Sequence, residues 1–254
     1  LAISSAASDV YKRQEYTTSR HVLAARKIAK PLEQQVADRM IERRQEYSLI
    51  VNSGNRIGRV NGLAVLGADS GLSDYSGIML PVEALVTPSL SSGGKVYATG
   101  GLSDLAKESV TNVSAVIKKL TGKDVSDYDI HIQFVETHGV DGDSASITIA
   151  TAIISALENI PIRQDLAMTG SLSVRGEVLP IGGVTAKIES AAKSGIKTVV
   201  IPRANSQDVL LDRQYEDIEV IAVDTLDEVM QQALVIGDKT VSYTHLRAHE
   251  TQTH

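Results

Sequence analysis

The segment Gly139–Ile160, GVDGDSASITIATAIISALENI, sets Asp141, Gly142, Asp143 and Ser144 directly before a helical pattern. Counting from Ile147, apolar residues recur at Ala150, Ile154 and Leu157, the three- and four-residue steps of a helix face. Asp143 and Ser144 fall at the entrance, where a short polar side chain can cap unpaired backbone N–H groups. The same place suits a nucleophile, because N–H groups and the positive dipole end of a helix stabilise an oxyanion. A serine hydroxyl is too weak to attack a carbonyl without a base. Lys187 is the candidate base. In the helix predicted after Gly182-Gly183, Val184, Ile188, Ala191 and Gly195 share one face, Lys187 flanks it, and Lys193 points the opposite way. Most lysines at such an edge snorkel to water; one held against a packed surface loses hydration, which favours the neutral amine and hence a general base. Ser144, Lys187 and the helix start together make a machine for acyl transfer. Spacing alone leaves a second reading open, a helix cap and a solvated lysine. Ser146 is the poorer nucleophile, since two helical residues turn it about 200° away.

Other chemistry is less well supported. Ser91–Val96, SSGGKV, lacks the first glycine and the Ser or Thr of a phosphate loop, having Ser89 and Val96 at those places, and it reads as a hairpin turn. Without cysteine, disulfides, thiol nucleophiles and thiolate zinc sites are excluded. The net charge of −6 comes without a basic patch, and aromatic residues are only 4% of the chain, which argues against nucleic acid. His245 and His249 have the four-residue spacing of a helical metal pair, but they lie in Val241–His254. That stretch and Leu1–Gln14 share no periodicity with their neighbours and resemble translated sequencing adaptor, so residues 1–14 and 241–254 are read as non-native ends.

The elements that must position these residues alternate along the chain. Residues 18–46 are rich in helix formers, with Pro31 as a break. RIGRVNGLAVLG, GIMLPVEALVTPSL and GGKVYATGGL have the texture of short strands bounded by Gly and Pro. Ser103–Leu120 is helical, with Ser103 as a cap and Leu105, Val113, Val116, Ile117 and Leu120 inward. DIHIQFVE alternates as a strand into the Ser144 segment. After that helix come strand, turn, strand, Gly-Gly, helix and strand, and finally EVIAVDTLDEVMQQAL as a strand and short helix. Such mixed runs predict an α+β fold. No apolar run is long enough to span a membrane.

GVDGDSAS, AMTGSLSVRGEVLPIGGVTAKIESAAKSGIKTVVIP, RVNGLAVLG and NVSAVIKKLTG followed by DIHIQFV resemble the proteolytic domain of Lon proteases, specifically the archaeal-type LonB group, over roughly residues 16–236. The resemblance implies the Lon proteolytic-domain fold, mixed sheets with packed helices, over residues 47–240. Residues 15–46 are then a helical remnant of an AAA+ ATPase module. It places the nucleophile at Ser144 and the dyad partner at Lys187. Thr169 falls on the threonine that helps orient the lysine, and Asp141 on an acidic position that can approach it and regulate its charge. His131 matches a strand histidine with a structural part. FVETHGVDGDS is one residue shorter than the usual archaeal loop, which bears on how Glu136–Val140 sits. The implied function is an ATP-dependent serine endopeptidase acting on unfolded or damaged polypeptide bound as an extended strand. ATP and Mg²⁺ would serve a module outside this fragment, which itself needs neither cofactor nor metal. The family assembles as a homo-hexamer, and the parent would be anchored at the cytoplasmic face of the membrane. The alternative is a catalytically silent ring-forming or peptide-binding domain of the same fold.

Overall fold

A computed structural model describes residues 50–66, 76–90, 93–99, 103–135, 144–210, 215 and 217–236, together with positions 35, 38, 39 and 42. Those four are helical, and the rest of the helical stretch expected over 15–46 lies outside the described residues, as do both ends. In order, the strands are β1 (Asn55–Arg56), β2 (Arg59–Leu66), β3 (Ser76–Pro88), β4 (Val96–Thr99), β5 (Tyr128–Phe134), β6 (Ile162–Arg163), β7 (Leu166–Met168), β8 (Ser171–Leu172), β9 (Val178–Leu179), β10 (Thr198–Pro202) and β11 (Glu219–Val223). The helices are α1 (Ser103–Thr121), α2 (Ser146–Glu158), α3 (Val184–Lys193) and α4 (Leu226–Ala233). Seven strands form a mixed sheet in the order β11-β10-β7-β2-β3-β5-β4, in which β3 alone runs against the rest. This is the α+β architecture expected from the sequence.

Alternation along the strands builds two cores. Val60 and Ala64 of β2, Ile78, Leu80 and Val82 of β3, Leu166 and Met168 of β7 and Val200 of β10 face a cluster that includes α1, α2 and α4. Leu63, Met79, Ala167, Val199 and Ile201, the intervening positions, face a second cluster under Val184, Ile188 and Ala191 of α3. The helix carrying the Ser144 segment and the helix carrying Lys187 therefore sit on opposite faces of one sheet. Every residue of α2 from Ser146 to Ser155 is buried. The sequence suggests one apolar stripe; the sheet, α1 and α4 instead enclose the helix all round. At its far end Ser155 Oγ accepts the Gly58 N–H and donates to the Ile160 carbonyl, tying α2 to the turn between β1 and β2.

One turn expectation is corrected. The SSGGKV segment does not join two paired strands as a hairpin, because β5 lies between β3 and β4 and β4 pairs with β5 in parallel. GIMLPVEALVTP lies within one 13-residue strand, β3, that runs through Pro81. The Pro81 carbonyl accepts from Val135 N–H on the β5 side. Its nitrogen points the same way but has no hydrogen to return to Val135, and the β3–β5 ladder ends at the neighbouring Phe134–Val82 pair. Among the described residues no helix is long and apolar enough to cross a membrane.

Candidate active site

The site forms where β7 ends. The Thr169 N–H donates to Val200 O at 3.1 Å, which extends the β7–β10 ladder by one residue. Alternation then sends Thr169 to the α3 side and Gly170 to the α2 side. Lys187 Nζ donates to Thr169 Oγ1 at 3.2 Å, and the Thr169 hydroxyl donates to the Ser144 carbonyl at 3.3 Å. Thr169 is thus a relay of defined polarity: its proton is directed at Ser144 and its lone pair at the lysine. The Gly170 N–H also donates to Ser144 O, at 2.9 Å, and the Gly170 carbonyl accepts from Ile147 N–H at 3.2 Å. These bonds clamp the entrance of α2 to the end of β7. Fold topology brings Ser144, Thr169 and Lys187 together from opposite faces of the sheet.

For Ser144 the capping expectation is corrected here, and Asp143 lies outside the described residues. Helix α2 begins at Ser146 with Ala145 as its N-cap, whose side chain makes no capping hydrogen bond. Gly170 does that work through its carbonyl, so Ser144 is not needed as a cap. Ser144 is half-buried, and its hydroxyl makes no hydrogen bond to any described residue. Because Ile147 N–H is already bonded, it is not available to an oxyanion. Gly170 was not singled out from sequence; a glycine straight after a strand is the signal of close backbone approach that pointed to it. A Cβ there would lie 3.0 Å from Val178 Cγ1 and 3.1 Å from Ile147 Cδ1.

Lys187 does not sit at the edge of the apolar face of α3, as the helical wheel suggests. It is 1% exposed and ranks among the largest fully buried side chains. Thr169 is likewise fully buried. Lys193, by contrast, reaches outward to Asp38 at 2.7 Å. Asp141 lies outside the described residues. His131 is exposed on β5 and stacks on Tyr97, ring centroids 4.6 Å apart, on the open face of the sheet. Within SSGGKV, Gly94 N–H is bonded to Ser126 O and Lys95 N–H to Asp129 Oδ1, so these two donors are not free for phosphate.

Residues 33–236 match the Lon protease (S16) C-terminal proteolytic domain, and the chain belongs to this family. Among named relatives, it is 58% identical over 222 residues to the Archaeal Lon protease of Archaeoglobus fulgidus, covering 86% of this chain and 35% of that protein. It is 56% identical over 233 residues to the Archaeal Lon protease of Pyrococcus abyssi, covering 91% of this chain and 23% of that protein. The Archaeal Lon protease of Thermoplasma acidophilum is 55% identical over 229 residues, covering 89% of this chain and 35% of that protein. The chain therefore spans about a third or less of the length of these curated relatives.

Proposed function

We propose that this domain hydrolyses peptide bonds of unfolded or damaged polypeptide, with Ser144 as nucleophile and Lys187 as general base. The observation that carries the reading is the buried path Lys187 Nζ–Thr169 Oγ1–Ser144 O, at 3.2 and 3.3 Å. Burial of the amine favours its neutral form. Thr169 takes one of its hydrogens, which orients the nitrogen lone pair for the serine proton. Ser144 Oγ then attacks the carbonyl carbon of the scissile bond, and the proton passes to Lys187. The tetrahedral oxyanion gains from the positive end of α2. Collapse expels the amine, protonated by Lys187, and leaves an acyl-Ser144 ester, which water hydrolyses with Lys187 again as base. Asp141, in this reading, approaches the amine and regulates its charge.

The wider reading is an ATP-dependent serine endopeptidase. ATP and Mg²⁺ act in a separate module that unfolds substrate, six copies close a ring around the sites, and the parent protein is held at the cytoplasmic face of a membrane. A fluorophosphonate or peptidyl-boronate probe tests the chemistry, since only a working nucleophile reacts. Wild-type protein is expected to be labelled at Ser144, while Ser144→Ala and Lys187→Met are not. An unlabelled wild type would instead support a silent ring-forming or peptide-binding domain.

A further inference from the structure

We propose that Gly77 is a positioning residue for Lys187, an inference that rests on the peptidase reading above. Gly77 lies in β3, paired with Val65 of β2, and its missing side chain faces α3. A Cβ at this position would be 2.0 Å from the Ala186 carbonyl oxygen, 2.5 Å from the Ala186 carbonyl carbon and 2.9 Å from Lys187 N. All three are backbone atoms in the turn of α3 that bears Lys187, so no rotamer change relieves the overlap. Any side chain at 77 must lift the helix by on the order of 1 Å to reach van der Waals distance. Lys187 Nζ and Thr169 Oγ1 are already 3.2 Å apart, near the outer range of a hydrogen bond, so that displacement breaks the bond. At Gly62 of β2, on the other face, a Cβ would first meet the Leu80 carbonyl oxygen of the neighbouring strand at 2.7 Å and then Thr148 Cγ2 of α2 at 3.1 Å. At Gly77 the overlap is with helix backbone, at Ala186 and Lys187.

Gly77→Ala is compared with Gly94→Ala, whose Cβ would meet another backbone carbonyl, Tyr128 O, at 1.9 Å, at the β4 edge of the sheet. Both are purified in buffer with trimethylamine oxide, which favours the folded state, and a cooperative urea transition is required of each. Two quantities are read: kcat and KM on an unstructured peptide, and the titration of the Lys187 methylene resonance, assigned by its absence in Lys187→Met. Gly77→Ala is expected to lose roughly 100-fold in kcat, the scale of a misplacement near 1 Å. Its KM stays within about threefold, because Gly77 touches no substrate, and its Lys187 resonance no longer titrates as in the wild type. Gly94→Ala keeps both readouts. Wild-type kcat and titration in Gly77→Ala overturn the proposal, as do equal losses in Gly94→Ala. Failure of Gly77→Ala to fold where Gly94→Ala folds also overturns it, making Gly77 a folding residue only. An inactive wild type would instead sink the peptidase reading, while the resonance would still report whether Gly77 holds Lys187.

Discussion

At the scale of single residues, Lys187 is a lysine held at 1% exposure inside the packed domain. A buried ammonium loses hydration, and a methionine of similar length has no such loss. Lys187→Met is therefore expected to reduce peptide cleavage by about 10³-fold or more, in line with removal of a general base, while the urea midpoint stays level or rises. Lys187→Arg should be equally inactive, because a guanidinium keeps its proton at any working pH. Peptidase rates and urea midpoints of both, beside Ser144→Ala, check this. Activity in the arginine variant would remove the general-base role. A loss of several kcal/mol in the methionine variant would mark Lys187 as an ion-pair partner that the fold requires. Thr169 is tied to both neighbours, so its part is orientation of the lysine and of the Ser144 backbone.

At the scale of elements, β7 is only three residues long, yet the site depends on where it ends. Its start is held by Asp165, whose carbonyl accepts from Lys197 and Thr198 N–H and whose carboxylate takes a two-pronged bond from Arg163 at 2.7 and 2.8 Å. The Arg163 hydrogen bond holds the Asp165 carboxyl below its ordinary value, against a partial desolvation that acts the other way. A depressed carboxyl contributes stability that is fully present above the unfolded value, near 3.8, and is lost as pH falls through the folded one. Stability should therefore be flat with respect to this group near neutrality and decline below about pH 4. Asp165→Asn keeps the backbone bonds and should flatten that part of the acid limb. Urea midpoints at about pH 6 and about pH 3 decide it. An unchanged slope in the variant would show that the pair is solvated and contributes nothing.

At the scale of the whole molecule, the sheet is a partition whose two faces each carry one half of the candidate chemistry. Among the described residues the halves meet at the β7 terminus, so both cores must be formed before the site exists. In the proposed mechanism no step uses a nucleotide, and the Gly94 and Lys95 N–H groups of SSGGKV are already bonded within the fold. Purified as this chain, the protein should cleave short or unfolded peptides at a rate indifferent to ATP and Mg²⁺, and should leave a stably folded protein intact. Peptide fluorescence and gel assays with and without nucleotide check this. Degradation of the folded protein that rises with ATP would overturn it.

Periodicity and residue type by themselves determined the run of strands and helices and the α+β class, and they offered Ser144 and Lys187 as candidates beside a cap-and-solvated-lysine reading that only the family resemblance set aside. These are local properties, since a helical stripe, an alternating strand or a Gly-Gly before a helix is written in neighbouring positions. The family resemblance, rather than spacing, picked out Thr169. Only the tertiary structure decided that α2 is enclosed on all sides, that Lys187 is buried and not snorkelling, and that β4 pairs with β5. It also placed the cap of α2 on the Gly170 carbonyl, freeing Ser144 from that duty. Each of these depends on which elements become neighbours across the sheet. A helical wheel cannot tell an edge lysine in water from one under a strand. That difference lies in the backbone contact at Gly77, more than 100 residues away in the chain.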